Sequence, residues 1–323
     1  MISQIIAANE RIKAKPNAVR ETPLEKSLSL SAQTGANIYL KYESLQLTGS
    51  FKLRGSSNKL NLLSDAEKAK GVITASTGNH GLGVATAASL LGIDATIYVP
   101  ETASVVKLDA IRQLGGTVET VKGDGYLAEM TAKSVAEQLG KTYVSPYNDF
   151  DVVCGQGTCG LEIMQQLPDV DAIFVAVGGG GLIGGSGLYA KSVNPDVEIV
   201  GCWPEVARSF YEALELGKVV DIQEGETISD GTAGGVEHDT ITLELCQKVI
   251  DTKVLVSEAE ITDAMRLIAQ GERQIIEGAA GVAVAAALKA INAEPVKYKG
   301  KNIAIVICGR NISFDKFLKA IGV

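Results

Sequence analysis

The sequence has few of the residues that build metal centres and disulfide frameworks. Its 323 residues include two histidines, His80 and His238, and five cysteines. Cys154 and Cys159 lack the spacing of a zinc-ligand pair and have no histidine nearby. We therefore expect no bound metal. A histidine base would have to be one of these two, and we expect His238 to be an exposed loop residue.

Positive charge and long apolar runs are also scarce. The net charge is −8, and no extended basic segment offers a binding surface for nucleic acid or for an anionic membrane. No apolar run reaches the length that spans a bilayer, and residues 1–11 mix charged and polar residues with short apolar stretches. These absences predict a cytoplasmic protein that binds neither nucleic acid nor membrane.

The chain does have enough apolar sequence for a large core. Hydrophobic residues make up 46% of it and charged residues 21%. Strands are predicted at 38–42, 72–75, 95–99, 117–121, 172–177, 198–202 and 303–307, and helices at 52–63, 81–91, 104–114, 126–139, 158–167, 261–271 and 279–291. This alternation predicts an α/β fold with two parallel or mostly parallel open sheets, each covered by helices.

No single linker divides the sequence into two halves. This favours a small domain at residues 71–148 that is inserted into a large domain made of residues 1–70 and 149–323. A substrate would then bind in the cleft between the two domains.

A lysine among small residues follows the first of these predicted strands, in Ser50-Phe51-Lys52-Leu53-Arg54-Gly55-Ser56. A lysine that loses its hydration becomes an amine nucleophile towards an aldehyde, and the permanent charge of Arg54 would lower its pKa further. The alternative is an ordinary solvated surface lysine.

A polar turn, Ser76-Thr77-Gly78-Asn79-His80, lies between a predicted strand and a predicted helix. Asn79 can donate to a phenolic oxygen, whereas Ser76, Thr77 and the free N–H groups of the turn can hold a carboxylate at the positive end of the helix. A simple helix cap explains Ser76 and Gly78 but does not explain Asn79 and His80 together.

Four consecutive glycines, Gly178-Gly179-Gly180-Gly181, stand between another strand and helix. Residues without a Cβ let backbone N–H groups close around a phosphate, and the following helix adds its dipole. The spacing differs from that of dinucleotide-binding and nucleoside-triphosphate loops, so a different phosphorylated cofactor is predicted.

With these segments in view, the sequence resembles the fold-type II pyridoxal-phosphate enzymes, which share the tryptophan synthase β-like fold, in the branch of threonine/serine dehydratases and serine racemase. The resemblance covers nearly the whole chain. The matching segments, in order, are Thr22-Pro23-Leu24, the segments around Lys52 and Asn79, Gly155-Gln156-Gly157-Thr158, the four glycines, Glu277-Gly278-Ala279-Ala280-Gly281 and Cys308-Gly309-Arg310-Asn311.

The resemblance implies pyridoxal 5′-phosphate as cofactor and a role for each matching residue. Lys52 would be the Schiff-base lysine and the base that removes the Cα proton, and Thr77 would serve the opposite face of Cα. The implied cofactor-binding residues are Phe51, Lys52, Asn79, Gly178, Gly179, Gly180, Gly181, Leu182 and Cys308. The implied substrate-binding residues, around the carboxylate, are Ser76, Thr77, Gly78 and His80.

Two matching positions are informative for the type of reaction. Cys308 would face the pyridine nitrogen, and a neutral thiol cannot keep that nitrogen protonated, which favours β-elimination over transamination. It has an alternative reading as a buried core cysteine. Glu277 matches a glutamate near the cofactor ring, with a surface charge at a helix N-terminus as its alternative.

The predicted function is dehydration of a β-hydroxy amino acid, L-threonine or L-serine, to a 2-oxo acid and ammonia by a homodimer. Racemisation is the alternative that the hydroxyl of Thr77 supports. The loop at 229–238 diverges from the family, which leaves open a less common substrate such as 3-hydroxyaspartate or a hydroxyectoine-derived amino acid. Trp203, Ala207 and Ser209 stand where the resemblance places the ligands of a racemase cation site or their neighbours, so that site is expected to be lost, although Glu205 could contribute an oxygen. Because a fold does not determine the chemistry, a non-catalytic sensor or a nicotinamide-dependent oxidoreductase built on similar sheets is the alternative from a different functional class.

Overall fold

Two sheets organise the chain. The computed structural model describes residues 1–14, 16, 19–103 and 105–323, and the side chains of residues 105–107 lie outside the description. The larger sheet has six strands in the order β1 (Leu24–Lys26), β2 (Asn37–Lys41), β10 (Asn302–Val306), β7 (Ala172–Ala176), β8 (Glu198–Pro204) and β9 (Thr252–Val256). The smaller sheet has four in the order β5 (Thr117–Val121), β4 (Ala95–Pro100), β3 (Val72–Ala75) and β6 (Thr142–Tyr143).

Parallel pairing dominates both sheets. β1 pairs antiparallel with β2, and the other named strand pairs are parallel. The helices are α1 (Ile2–Lys13), α2 (Leu28–Thr34), α3 (Lys52–Leu62), α4 (Asp65–Lys70), α5 (Asn79–Leu91), α6 (Val105–Gln113), α7 (Gly125–Leu139), α8 (Phe150–Gln166), α9 (Gly181–Val193), α10 (Ser209–Leu216), α11 (Thr242–Val249), α12 (Glu258–Gly271), α13 (Gly278–Ala293), α14 (Pro295–Tyr298) and α15 (Phe314–Ala320). This architecture confirms the predicted α/β class.

The predicted strands and helices are present, with shifted ends. Strands β1, β6 and β9 were not predicted, and α8 begins at Phe150 rather than at residue 158 because Asp149 caps it, accepting from the N–H groups of Asp151 and Val152. The predicted start of α6 at Ser104 lies outside the described residues. All four strands of the smaller sheet fall within the predicted insert, but the domain limits themselves stay a prediction.

Helix α3, which begins at Lys52, packs on α8 at nearly backbone contact. A Cβ on Gly155 would lie 2.6 Å from the Cα of Gly55, closer than real Cβ contacts. Gln156 also accepts from the N–H of Gly55 at 3.2 Å. The Gly155-Gln156-Gly157-Thr158 motif therefore serves the packing of two helices and fixes the direction of α3.

A buried charge network holds the same two helices against β2. Arg54 on α3 donates to both carboxylate oxygens of Glu43 at 2.7 Å, and to Glu162 on α8 at 2.9 and 2.6 Å. Lys41 donates to Glu162 at 2.7 Å, and Thr158 accepts from Arg54 at 3.0 Å. The four charged side chains are 0% exposed. Two cations and two anions balance, which is the condition for burying them.

Among the described residues, no helix combines the length and the hydropathy that a bilayer crossing needs.

We predict that Glu162→Gln lowers the free energy of unfolding by about 3–5 kcal/mol, because Lys41 would lose its carboxylate partner and Arg54 would keep only Glu43, with all three side chains buried. Urea unfolding of the cofactor-free protein measures the change. The control is Glu10→Gln, an exposed acid on α1, which should shift the free energy by at most about 0.5 kcal/mol. A loss below about 1 kcal/mol for Glu162→Gln would contradict a balanced network.

Candidate active site

Lys52 lies beside the end of β10. Ser50 pairs with Gly309 in an antiparallel bridge, and the N–H of Phe51 donates to the carbonyl oxygen of Cys308 at 3.1 Å. Lys52 is the next residue and the first of α3. These backbone contacts bring the sequence-predicted Phe51, Lys52 and Cys308 together.

Lys52 is half-buried, and its amine lies in a low-polarity environment. Its Nζ donates to the carbonyl oxygen of Pro146 at 2.9 Å and lies 5.2 Å from the centroid of the Phe51 ring. Burial lowers the pKa of Lys52 to about 8, and the nearby Cys308 and Glu277 oppose this shift only in part. At pH 7, roughly a tenth of such an amine is neutral and able to act as a nucleophile or a base. The reading of Lys52 as a solvated surface lysine is therefore wrong.

The expected influence of Arg54 on this pKa is also wrong. Burial produces the shift, and the charge of Arg54 makes no contribution to it. The guanidinium of Arg54 is bound by Glu43 and Glu162, which raise its own pKa and cancel its field. Arg54 acts on Lys52 by fixing α3 and not by its charge.

The second predicted segment forms the start of α5, after β3. The hydroxyl of Ser76 accepts from the N–H of Gly78 at 3.1 Å, which closes a tight polar turn. Thr77 lies in the same turn, and α5 begins at Asn79 with Gly78 as its cap. The first N–H groups of a helix have no intrahelical acceptor, so this turn presents donors that suit a carboxylate.

The side chain of His80 is neutral. It is 3% exposed, its Nε2 lies 2.9 Å from the carbonyl oxygen of Val144, and its Nδ1 has no hydrogen-bond partner in the described chain. Burial, with a further contribution from Lys52, lowers the pKa of His80 to about 3. A contact of His80 with a carboxylate therefore has to come from its backbone N–H. His238 is exposed, as expected, and lies 3.4 Å from Asp221.

Asn79 joins the start of α5 to two segments next to the larger sheet. Its amide donates to Glu277 at 2.8 and 3.1 Å and accepts from Asn311 at 2.6 Å. The N–H of Asn311 also donates to Glu277, at 3.1 Å. Glu277 is 4% exposed, so its reading as a surface charge is wrong. The predicted bond of Asn79 to a phenolic oxygen stays a prediction.

The four glycines connect β7 to α9, and at Gly179 and Gly180 the neighbouring rings leave no room for a side chain. Gly180 has a φ of +81°, and a Cβ there would lie 2.6 Å from the ring of Phe210, whereas a Cβ on Gly179 would overlap the ring of Tyr147. Gly181 is the first residue of α9, and Leu182 belongs to its first turn. The turn therefore exposes backbone N–H groups at a helix N-terminus, a suitable arrangement for a phosphate.

A segment that sequence reasoning treated only as a domain boundary connects all these parts. The carbonyl oxygen of Val144 binds His80, that of Pro146 binds Lys52, and the ring of Tyr147 covers Gly179. We call residues 144–148, which follow β6, the bridging segment. The contacts of Val144 and Pro146 are made by backbone carbonyl groups, so no pattern of side chains in the sequence could have predicted them.

Ser209, one of the three residues expected at or beside the lost cation site, is hydrogen-bonded to Glu224. Its N–H and hydroxyl donate to Glu224 at 2.9 and 2.6 Å, and Glu224 also accepts from the N–H of Gly234 at 2.7 Å. Within the described ranges, no group of three or more His, Cys, Asp or Glu side chains is arranged to hold a metal ion.

These features fit a phosphorylated aldehyde cofactor. Lys52 supplies a partly neutral amine, the glycine turn stands at the N-terminus of α9 with no space for a Cβ at Gly179 or Gly180, and Cys308 is a buried thiol whose pKa burial raises far above its ordinary value. Residues 16–309 match the model of the pyridoxal-phosphate dependent enzymes. The chain belongs to this family, and its two-sheet architecture is that of fold-type II.

Individual members of the family are similar over nearly the whole chain. The L-threonine ammonia-lyase of Thermotoga maritima is 43% identical over 300 residues, which are 93% of this chain and 73% of that protein. The processed threonine deaminase isoform 2 of Solanum lycopersicum is 37% identical with a TM-score of 0.92, covering 99% of this chain and 92% of that one. Maize serine racemase is 31% identical, also with a TM-score of 0.92, covering 99% and 96%.

We predict that labelling of Lys52 by a small aldehyde, trapped with borohydride, becomes half-maximal near pH 8 in the cofactor-free protein, because the neutral amine is the reactive form. Peptide mass spectrometry at a series of pH values measures it. Lys59 is the internal control: hydrogen bonds and charges of Asp149 and Asp151 raise its pKa despite burial, so its labelling should need a higher pH. If Lys52 labels in step with Lys59, its amine is not desolvated as described.

Proposed function

We propose that this protein is a dehydratase that converts L-threonine or L-serine to a 2-oxo acid and ammonia. The observation that carries the proposal is the partly neutral amine of Lys52, held at Pro146 within one connected set of contacts that also includes the α5 turn and the glycine turn. The choice of substrate is supported by the relatives, which are named for threonine ammonia-lyase and threonine deaminase activity.

Each part of the site has one task in this proposal. The glycine turn and the N-terminus of α9 hold the phosphate of pyridoxal phosphate, and the turn from Ser76 to His80 holds the carboxylate of the amino acid. Lys52 Nζ removes the proton from Cα, and a group near the phosphate site gives a proton to the hydroxyl on Cβ, which leaves as water. Hydrolysis of the resulting enamine by a second water gives the 2-oxo acid and ammonia. The cofactor, when bound, supplies the electron sink for this chemistry.

The environment of Cys308 favours elimination. A buried thiol with a raised pKa keeps its proton, so Cys308 offers no anion that could hold a ring nitrogen in its protonated form. A cofactor held beside Cys308 would be a weaker electron sink, which would favour direct loss of the β-hydroxyl.

We predict that Lys52→Arg lowers the rate of ammonia release from L-threonine by at least about 10³-fold, because a guanidinium stays charged and cannot accept the Cα proton. A coupled assay for 2-oxo acid and ammonia measures the rate. Lys59→Arg is the matched control and should keep the activity. If Lys52→Arg stays active, or the unaltered protein releases ammonia from neither substrate, the proposal is wrong.

Racemisation is a second candidate, favoured by the hydroxyl of Thr77 in the carboxylate turn and by the similarity to maize serine racemase. If Thr77 returns a proton to the opposite face of Cα, L-serine should yield D-serine, and Thr77→Ala should remove this product while leaving ammonia release within about threefold. Chiral chromatography of the reaction mixture measures it. If no D-serine is formed from L-serine, the racemase candidate is wrong and elimination is the remaining proposed reaction.

The proposal also includes a homodimer in the cytoplasm, as the resemblance implies. The similar enzymes also support a small amino acid as the molecule that this protein binds.

A further inference from the structure

Helix α11 packs against the glycine turn and contacts two successive carbonyl groups of it. The hydroxyl of Thr242, the first residue of α11, donates to the carbonyl oxygen of Gly179 at 2.7 Å. One helical turn later, the thiol of Cys246 lies 3.4 Å from the carbonyl oxygen of Gly180. Residues four apart lie on the same face of a helix, so a single face of α11 binds the turn.

The partners of Thr242 fix the direction of its hydroxyl proton. A carbonyl oxygen can only accept, so the hydroxyl of Thr242 has to donate to Gly179. The hydroxyl oxygens of Thr240 and Thr242 are 2.7 Å apart, and Thr240 therefore donates to Thr242. Thr242 is 0% exposed and Thr240 is 8% exposed, so both hydroxyls find their partners inside the protein.

These contacts orient the N–H groups of the glycine turn. A peptide group is planar and trans, so its N–H points opposite to its carbonyl. Because Thr242 binds the carbonyl of Gly179, the N–H of Gly180 points away from α11. The carbonyl of Gly180 accepts from the N–H of Gly184 at 2.8 Å, so the N–H of Gly181 points out of the N-terminus of α9.

Both N–H groups are available to a ligand. Within the described ranges, no backbone carbonyl accepts from the N–H of Gly180 or Gly181. Two donors at a helix N-terminus suit a phosphate. They also lie close to the reactive amine, because the carbonyl oxygen of Pro146 binds Lys52 and the ring of the next residue, Tyr147, covers Gly179.

We propose that Thr242 is a positioning residue for the phosphate of the cofactor. Its hydroxyl holds the peptide group between Gly179 and Gly180 in the orientation that directs the N–H of Gly180 to the phosphate, and Thr240 holds that hydroxyl. The inference rests on the proposed function, in which the glycine turn binds the phosphate. Glycine residues permit several backbone orientations, so without this hydroxyl the peptide group is free to rotate and the phosphate loses a charge-assisted hydrogen bond.

The test compares pyridoxal phosphate with pyridoxal, which lacks the phosphate, on the whole chain after its cofactor has been removed. Titration of the visible absorption of the bound cofactor measures both dissociation constants. Thr242→Val removes the hydroxyl and keeps the shape of the side chain. We expect it to weaken the binding of pyridoxal phosphate at least about tenfold and to change that of pyridoxal less than about twofold.

Two further variants and one control assign the effect. Thr242→Ser retains the hydroxyl and should bind pyridoxal phosphate within about threefold of the unaltered protein. Thr240→Val removes only the donor to Thr242 and should weaken that binding about threefold. Thr86→Val removes a buried hydroxyl of α5 that has no hydrogen-bond partner in the described chain, and it should leave the binding unchanged. If Thr242→Val fails to fold, Thr240→Val decides by the same comparison.

The outcomes separate this inference from the proposed function. If Thr242→Val binds both cofactors as the unaltered protein does, or loses both equally, Thr242 does not position the phosphate. Ammonia release from L-threonine by the unaltered protein is measured in parallel. Ammonia release together with either of these results keeps the proposed function and overturns the inference. A loss confined to pyridoxal phosphate in a protein that releases no ammonia supports the inference and overturns the proposed dehydratase.

Discussion

The site depends on the fixed position of helix α3, whose first residue is Lys52. Two kinds of contact determine that position. Gly55 lets α3 approach α8 at nearly backbone distance, and Arg54 binds carboxylates from two other parts of the chain. Neither contact involves the lysine itself. The backbone of Lys52 is therefore ordered by contacts that its neighbours Gly55 and Arg54 make in the core, and these contacts hold the lysine side chain at a fixed place.

Burial acts in opposite ways on neighbouring groups of the site. It lowers the pKa of Lys52 and His80, and it raises that of Cys308. All three changes favour the neutral form, because a low-polarity environment disfavours charge of either sign. The permanent charges of Arg54 and its partners are buried too, but there each charge has an opposite one in contact. Lys52 is desolvated without an opposite charge in contact, which makes its amine reactive. Arg54, two residues further on, is desolvated in contact with opposite charges, which stabilises the fold.

The sequence was sufficient for the fold class, for most strands and for the three segments that contain Lys52, Asn79 and the glycines, because periodic apolar patterns and glycine-rich turns are local signals. Short strands such as β6 were missed, since two residues carry no period. The bridging segment was missed as part of the site for another reason. Its carbonyl contacts to His80 and Lys52 use groups that every residue has. The partners of Arg54 were missed because Glu43 and Glu162 come close only in the folded chain.

The contact between Tyr147 and Gly179 restricts how this family member can have diverged. A methyl group at position 179 has no space while an aromatic ring occupies position 147. The ring can be exchanged for a smaller side chain first, but the reverse order passes through a steric overlap. Residues far apart in the chain thus form a pair whose mutations are tolerated in only one order: glycine at position 179 has to precede the ring at position 147 when the pair arises, and the ring has to be lost first when the pair is given up.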